Sequence, residues 1–257
     1  MSSTLVLETA PAGARLVDMG AILDAAGYQA LRQAGGWGVL IDVATEGAAA
    51  GIERARAAGL RVGVWQGYDP QAFLQPEAAV QRAAWALTVL HAAGVLVPGL
   101  TLAVDWEAVP ALPIAAAIGW LNSWSARVVQ AGLVAGIYVG AGQPLNGGEL
   151  YQALVHITRY WEGCSQNLPA VATRGYCLVQ RACNQWIGGQ EVDLDEAHPD
   201  ALGGQWTFLP PLNAAPPPTV TTQSYAPETQ VTVLEARIAT LESALRQAGA
   251  ALKGVGA

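Results

Sequence analysis

Short runs of apolar and β-branched residues alternate with alanine-rich stretches of helical periodicity through the first 209 residues of the chain. Such alternation is typical of a parallel sheet whose strands are joined by helices. Eight strands are predicted, at residues 14–19, 38–44, 61–67, 100–107, 134–140, 158–163, 176–181 and 190–195. Helices are predicted at 48–58, 77–93, 114–131 and 148–155, and the first three are followed by the glycines Gly59, Gly94 and Gly132, which favour a left-handed helix end.

The number of strands indicates a barrel. Eight strand-plus-helix units in about 200 residues match the lower size limit of a (β/α)8 barrel. An open doubly wound sheet is the alternative, but no G-x-G-x-x-G follows the first strand and no G-x-x-x-x-G-K-[ST] occurs in the chain. We therefore expect an α/β protein with a (β/α)8 TIM-type barrel over residues 1–209.

The pattern changes at Pro210. Residues 210–228 contain six prolines and predict an extended linker. Beyond it, apolar residues recur in steps of three and four from Val231 to Leu252, which predicts a coiled-coil helix at 229–254. We expect residues 231–252 to hold two or three copies together or to bind a larger complex. A single amphipathic helix docked on its own barrel is the alternative.

Composition excludes several partners and sites. The net charge is −7 with a single lysine, so no basic stretch exists for nucleic acid. The N-terminus lacks the pattern of a signal peptide, and the longest apolar run, 92–104, is too short and too broken to insert into a membrane, which predicts a chain that is cytoplasmic at synthesis. Three cysteines and three scattered histidines predict no disulfide framework, no metal site and no cofactor.

The stretch TLAVDWEAV, residues 101–109, ends a buried strand with two acids. Residues two apart in a strand share a face, so Asp105 and Glu107 should point one way and Trp106 the other. At the carboxyl end of a barrel strand, the more buried acid holds its proton to higher pH while its neighbour stays negative, which is the pair required for glycosidic bond cleavage. The alternative is that Asp105 binds loop amides and Glu107 is a solvated strand end.

Other strand ends carry acids and large aromatic residues. Asp18 ends the first strand, Asp42 and Glu46 flank the end of the second, and Asp193 and Asp195 end the eighth. In a closed barrel these acids should converge on one mouth. Flat rings at strand ends, including Trp65, Tyr138, Trp161 and Trp186, are typical of sugar-binding surfaces, although aromatic residues also plug barrel ends.

The ordered series LVDMG, VATEG, VDWE, GIYVG, YWEG and VDLDEA resembles the family 25 glycoside hydrolases, which are muramidases of lysozyme type. It is similar also to related glycoside-hydrolase-like barrels of unestablished activity, and the likeness covers residues 14–206. The resemblance implies that Glu107 is the general acid, Asp105 its partner, and Asp18 and Asp193 the other acids of the site. It places Gln180 at a substrate-binding position, beside the aromatic candidates Trp65, Tyr138 and Trp161.

The sequence departs from the muramidase pattern at three places. VWQGYD replaces an aromatic–His pair after strand three, LVQRAC replaces W-Q-Y in strand seven, and Asp195 stands where Asn is usual.

We expect a glycosidase-like barrel that acts on a peptidoglycan-type amino-sugar polymer, in a phage or bacterial lytic protein that is virion-associated or reaches the cell wall by a non-Sec route. The alternative is a catalytically inactive structural or carbohydrate-binding module on an oligomeric, virion-type assembly. An open cleft lined by Glu107, Asp18 and aromatic rings would favour the enzyme. A mouth filled by the VWQGYD loop, or Arg181 paired with the acids, would favour the inactive module.

Overall fold

The computed structural model describes residues 5–212 except 68, 74, 76, 110, 111 and 188. Its strands are β1 (Glu8–Thr9), β2 (Ala14–Met19), β3 (Gly38–Asp42), β4 (Arg61–Gln66), β5 (Thr101–Trp106), β6 (Val134–Val139), β7 (Ile157–Glu162), β8 (Leu178–Ile187), β9 (Gln190–Ala197) and β10 (Thr207–Phe208). Its helices are α1 (Ala25–Gln33), α2 (Ala48–Ala57), α3 (Pro70–Phe73), α4 (Ala78–Ala92), α5 (Ile114–Gln130) and α6 (Gly147–Gln152). The eight predicted strands and four predicted helices are confirmed as elements, although β8 extends six residues further than predicted, and the three predicted helix-end glycines have positive φ.

Strands β2 to β9 form a closed barrel in chain order. The strands from β2 to β8 are parallel, whereas β9 is antiparallel to both of its neighbours, β8 and β2. Only positions 188 and 189 separate β8 from β9. A parallel crossover needs a dozen or more residues, so these two strands can only form a hairpin.

The prediction of a (β/α)8 TIM-type barrel is therefore wrong. The barrel is closed but mixed, and residues 163–177, between β7 and β8, contain no helix. The open doubly wound alternative is wrong as well, because the sheet closes. The hairpin could have been predicted from the sequence, because WIGGQE, residues 186–191, places a Gly-Gly pair between two strand-like runs. Such a pair is typical of a hairpin turn. The predicted coiled coil at 229–254 and all but the first three residues of the predicted linker lie outside the described residues.

Two apolar clusters occupy the two faces of the barrel strands. The inner cluster fills the barrel and includes Leu16, Leu40 and Leu178. The outer cluster lies between the strands and the helices, and there Trp106 packs against Phe73 and Trp120 with ring centroids 4.5 and 5.5 Å away. Alternation along each strand thus sorts the side chains into an inner and an outer set.

The amino-terminal end of the barrel is closed by the segment around β10. The side chains of Trp206 and Phe208 belong to the inner cluster. The Thr207 hydroxyl accepts a hydrogen bond from the Thr101 amide at 2.7 Å and donates one to the Gly99 carbonyl at 2.8 Å. With this end packed, the carboxyl ends of the parallel strands form the accessible mouth.

None of the helices in the described residues is both long and apolar enough to cross a membrane.

Gly63 is expected to be required for packing inside the barrel. A Cβ at this position would lie 2.6 Å from Leu40 Cδ2 and 2.9 Å from Phe208 Cε1. We predict that Gly63→Ala lowers the free energy of unfolding by about 1–3 kcal/mol, as overpacked cores do. Chemical denaturation measures this change.

Gly119 on α5 is the matched control, because a Cβ at this position would have none of the described atoms outside its own helix turn within 4 Å. Gly119→Ala should raise the free energy of unfolding by about 0.5–1 kcal/mol through its helix propensity. Equal stability of Gly63→Ala and the wild type would contradict the packing of Phe208 inside the barrel.

Candidate functional site

A cavity of about 330 Å³ opens at the mouth of the barrel. All four predicted acids and all four predicted substrate-binding residues line it: Asp18, Asp105, Glu107, Asp193, Trp65, Tyr138, Trp161 and Gln180. The roles assigned to these residues stay predictions, but the structure brings all eight together.

The end of β5 directs its two acids into the cavity. Asp105 and Glu107 line the cavity while Trp106 is fully buried in the outer cluster, as the alternation predicted. Directly after Glu107 the backbone turns at Ala108, which has a φ of 45°, uncommon for a residue other than glycine. A side chain at Gly140, on the neighbouring β6 end, would overlap Glu107. The Glu107 side chain is thus held close against the backbone of the adjacent strand end.

The direction of β9 decides the depth of its two acids. Asp193 pairs with Asp18 across the β2–β9 ladder, and Asp195 pairs with Leu16, further from the mouth. Asp195 is only 2% exposed, and its Oδ1 accepts a hydrogen bond from Trp161 Nε1 at 2.7 Å. In a parallel strand Asp195 would lie closer to the mouth than Asp193, so the antiparallel direction exchanges their places.

Gln180 joins three walls of the cavity. Its Oε1 accepts hydrogen bonds from Tyr138 Oη at 3.0 Å and from the Cys164 amide at 2.9 Å. Its Nε2 donates to Asp193 Oδ2 at 2.9 Å, while Asp193 Oδ1 accepts from the Asn184 amide at 2.7 Å. Gln180 is 6% exposed and uses both ends of its amide, so it positions Asp193 and Tyr138; a direct contact with substrate stays a prediction.

Burial and mutual repulsion favour the protonated form of two acids below the mouth. Burial raises the pKa of Asp18 well above its usual range, and the charges of Asp195, Asp193 and Asp105 add to this effect. Burial also raises the pKa of Asp195, with a smaller contribution from Asp193, although the Trp161 hydrogen bond opposes the shift. The floor of the site therefore holds carboxyl groups that resist ionisation.

Glu107 is affected in the same direction. Its partial burial raises the pKa of this carboxyl, and the negative charge of Asp193 raises it further. Burial raises the pKa of Tyr138 as well, and the charges of Glu107, Asp105, Asp18 and Asp195 add to this effect. This phenol therefore stays neutral and donates to Gln180. Glu107 is thus a half-buried acid that keeps its proton to higher pH than an ordinary glutamate.

Asp42 and Glu46, the acids at the end of β3, do not line the cavity. Asp42 accepts hydrogen bonds from the amides of Ala44 and Gly67, both at 2.7 Å, and from the Thr45 hydroxyl at 3.1 Å. Glu46 is exposed. Asp42 therefore has a structural role of the kind that was considered for Asp105, the binding of loop amides.

The aromatic residues of the cavity differ in exposure. Trp161 is 1% exposed and contacts Tyr138 and Trp65 edge to face, at centroid distances of 4.7 and 6.1 Å. Trp65 is half-buried, and among the described residues its Nε1 has no hydrogen-bond partner, as is also true of Asp18 Oδ1. Trp161 thus supports the floor, while Trp65 and Asp18 retain hydrogen-bonding capacity beside the cavity.

Sequence reasoning missed three features of the mouth. Asn184 and Glu191, on β8 and β9, also line the cavity. Cys164 and Cys183 form a disulfide that joins the loop after β7 to β8, so the prediction of no disulfide is wrong. The odd cysteine number hid this pair, and only the placement of Cys164 and Cys183 shortly after two consecutive predicted strands, 158–163 and 176–181, could have indicated it. Within the described ranges, no group of histidine, cysteine and acidic side chains is arranged to hold a metal ion.

No family model and no curated protein matches this chain. Among solved structures, it is similar to an uncharacterized protein of B. stearothermophilus, with a TM-score of 0.57 and 15% identity over 76% of this chain and 100% of the other. The catalytic domain of the endolysin ply40 from bacteriophage P40 of Listeria monocytogenes matches with a TM-score of 0.47 and 16% identity, over 77% of this chain and 95% of that domain. The first likeness shows a shared fold.

Asp195→Asn should stabilise the protein at neutral and alkaline pH. Because the folded-state pKa of Asp195 is raised, the folded protein binds more protons than the unfolded chain between the two pKa values. This contribution to stability is complete at acidic pH and is lost as the pH rises through the folded-state pKa. Asparagine carries no charge and its side-chain carbonyl can still accept from Trp161.

We therefore predict that Asp195→Asn raises the free energy of unfolding at pH 8 by about 1 kcal/mol or more, one pKa unit being worth about 1.4 kcal/mol. At pH 4 the variant and the wild type should differ little, and denaturation at several pH values measures both. Asp24→Asn is the control, because Asp24 is an exposed N-cap of α1 where asparagine caps as well. A stability gain that does not depend on pH would contradict the raised pKa.

Proposed function

We propose that this chain is a glycoside hydrolase that acts on a peptidoglycan-type amino-sugar polymer, with Glu107 as the proton donor. The observation that carries the proposal is the placement of Glu107, with its raised pKa, beside Asp105 and Asp193 on one open cavity. A half-buried acid next to further carboxylates is the arrangement that glycosidic bond cleavage requires.

The reaction needs only groups that line the cavity, together with water. Glu107 gives its proton to the glycosidic oxygen as the bond from that oxygen to the anomeric carbon breaks, and the bonding electrons stay with the oxygen. Asp105 or Asp193 stabilises the positive charge at the anomeric carbon, or positions the substrate's own acetamido oxygen to do so. Water then adds to the anomeric carbon and returns a proton to Glu107.

The charge of the mouth supports an uncharged region of glycan as the ligand. Five acids line the cavity, and its described lining includes no lysine, arginine or histidine. Such a surface disfavours uronic or sulfated sugars, which are anionic, and suits N-acetylated sugars that present hydroxyl and amide groups. The resemblance of VDWE and VDLDEA to the family 25 muramidases supports the same substrate class.

The openness of the mouth supports the enzyme over the inactive module. Arg181 pairs with Glu196, with its Nε 3.1 Å from Oε2, and neither residue lines the cavity. The acids of the site are therefore not neutralised by Arg181. The disulfide between Cys164 and Cys183 also suits a protein that acts in an oxidising place such as the cell exterior.

Glu107→Gln should abolish hydrolysis of purified bacterial cell walls, followed as loss of turbidity and as release of reducing sugars. Glutamine cannot give a proton to the leaving oxygen, so we expect a fall of about 100-fold or more. Glu46→Gln is the matched control, because Glu46 is an exposed acid after β3, another strand of the barrel, but outside the cavity. It should keep full activity. An inactive wild type on several wall types would contradict the proposal and favour a binding or structural module.

The pH profile should report the influence of Asp193 on Glu107. As the general acid, Glu107 must be protonated, so kcat/KM should fall as the pH rises through its raised pKa. Asp193→Asn removes a charge that raises this pKa, so the alkaline limb of the profile should move to lower pH. The measurement uses whatever activity the variant retains.

Glu196→Gln is the control for this profile, because Glu196 pairs with Arg181 outside the cavity. Its alkaline limb should coincide with that of the wild type. A limb that stays in place in Asp193→Asn, or moves to higher pH, would show that Asp193 does not act on the proton donor.

A further inference from the structure

The hairpin of β8 and β9 extends beyond the barrel. Strand β7 pairs with β8 only at Leu178 and Val179, and the pairing of β2 with β9 reaches only to Asp193. Among the described strands, residues 180–187 therefore pair only with β9, and residues 190–192 pair only with Gln185, Trp186 and Ile187 of β8. They form a two-stranded ribbon that stands beside the open mouth.

Strand register shows which side of the ribbon faces the cavity. Asp193, Asp195 and Ala197 alternate along the inner face of β9, and Glu191 continues this series and lines the cavity. Val192, one residue away, also borders the cavity, but its buried side chain packs in the outer cluster. In an antiparallel pair, directly opposite residues have side chains on the same face.

Trp186 is directly opposite Glu191, so its indole lies on the cavity side of the ribbon. It is 72% exposed, the most exposed large apolar side chain in the described part of the chain. A single exposed apolar residue is common and carries no meaning alone. Here the position is informative, because Trp186 and Glu191 lie two residues, about 7 Å, further out than Asp193 along the same face.

The ribbon is also fixed in place at its base. Register shifts between Gln180 and Gln185 mark irregular pairing, and Asn184 within them has a φ of 55° and donates its amide to Asp193. The disulfide joins Cys183 to the loop after β7. Such irregularities redirect strands beside binding sites. The outer ribbon and the acids of the cavity are thus held in one fixed relation.

We propose that Trp186 is the platform for a second sugar ring of the glycan, stacked on the indole face while Glu191 accepts a hydrogen bond from one of its hydroxyls. This inference rests on the proposed function. A flat indole matches the apolar face of a pyranose ring, and the adjacent carboxylate matches its hydroxyl edge. The charge of Glu191 beside the indole disfavours insertion of this tip into a membrane. The distance outward from Asp193 places the second ring beyond the one at which the bond is cleaved.

Calorimetric titration of the Glu107→Gln protein tests this platform without turnover. The ligands are N-acetylmuramoyl peptide, which has a single sugar ring, and a peptide-bearing hexasaccharide of alternating N-acetylglucosamine and N-acetylmuramic acid. Adding Trp186→Ala should weaken hexasaccharide binding about tenfold and leave binding of the single-ring ligand within about twofold. Trp186→Tyr should restore most of the loss, because it keeps a flat ring with a polar edge.

Trp85→Ala in the same background is the matched control. Trp85 is 41% exposed on α4 and does not line the cavity, so its removal should leave both affinities unchanged. Equal hexasaccharide affinity with and without Trp186 would overturn the platform but leave the proposed function standing. An equal loss for both ligands, or a loss in Trp85→Ala as well, would also overturn it. If the Glu107→Gln protein binds neither fragment, the proposed function fails together with the platform.

Discussion

The antiparallel closing strand β9 is the constraint on which the site depends. It pairs with β8 on one side and with β2 on the other, so every strand from β2 to β9 has two neighbours and the barrel has no open edge. Because β9 runs against its neighbours, its first half lies at the mouth, where Asp193 is opposite Asp18. The same reversal carries the hairpin past the barrel, so one topological feature supplies both an acid of the cavity and its outer wall.

Concentrating acids at this mouth opposes folding. Asp18 and Asp195 are buried near other carboxylates, where ionisation is disfavoured both by desolvation and by repulsion. Hydrogen-bond donors offset part of this cost at two of the carboxylates. The Trp161 indole donates to Asp195, and the side-chain amide of Gln180 donates to Asp193. The packed amino-terminal half of the barrel supplies the stability that the mouth lacks, a division typical of functional sites.

One side-chain amide connects the walls that must keep their relative positions. Gln180 on β8 accepts from Tyr138 on β6 and from the Cys164 amide after β7, and it donates to Asp193 on β9. The disulfide of Cys164 joins the same loop to β8 a second time. A network in which each member is satisfied holds its groups in a single arrangement, which a site with several acids requires because small displacements change their mutual repulsion.

The sequence by itself determined the eight barrel strands, four of the six described helices and the faces of the strand residues, but not the short strands β1 and β10 or the helices α1 and α3. Asp105 and Glu107 point inward and Trp106 outward because alternation along a strand is a local property of the backbone. Only the tertiary structure decided the direction of the last strand, and with it the depths of Asp193 and Asp195. It also decided that Asp42 binds loop amides and that Cys164 meets Cys183. The reason is physical: periodicity fixes which face a side chain takes, but the partners of a strand depend on connection length and on contacts between residues far apart in the chain.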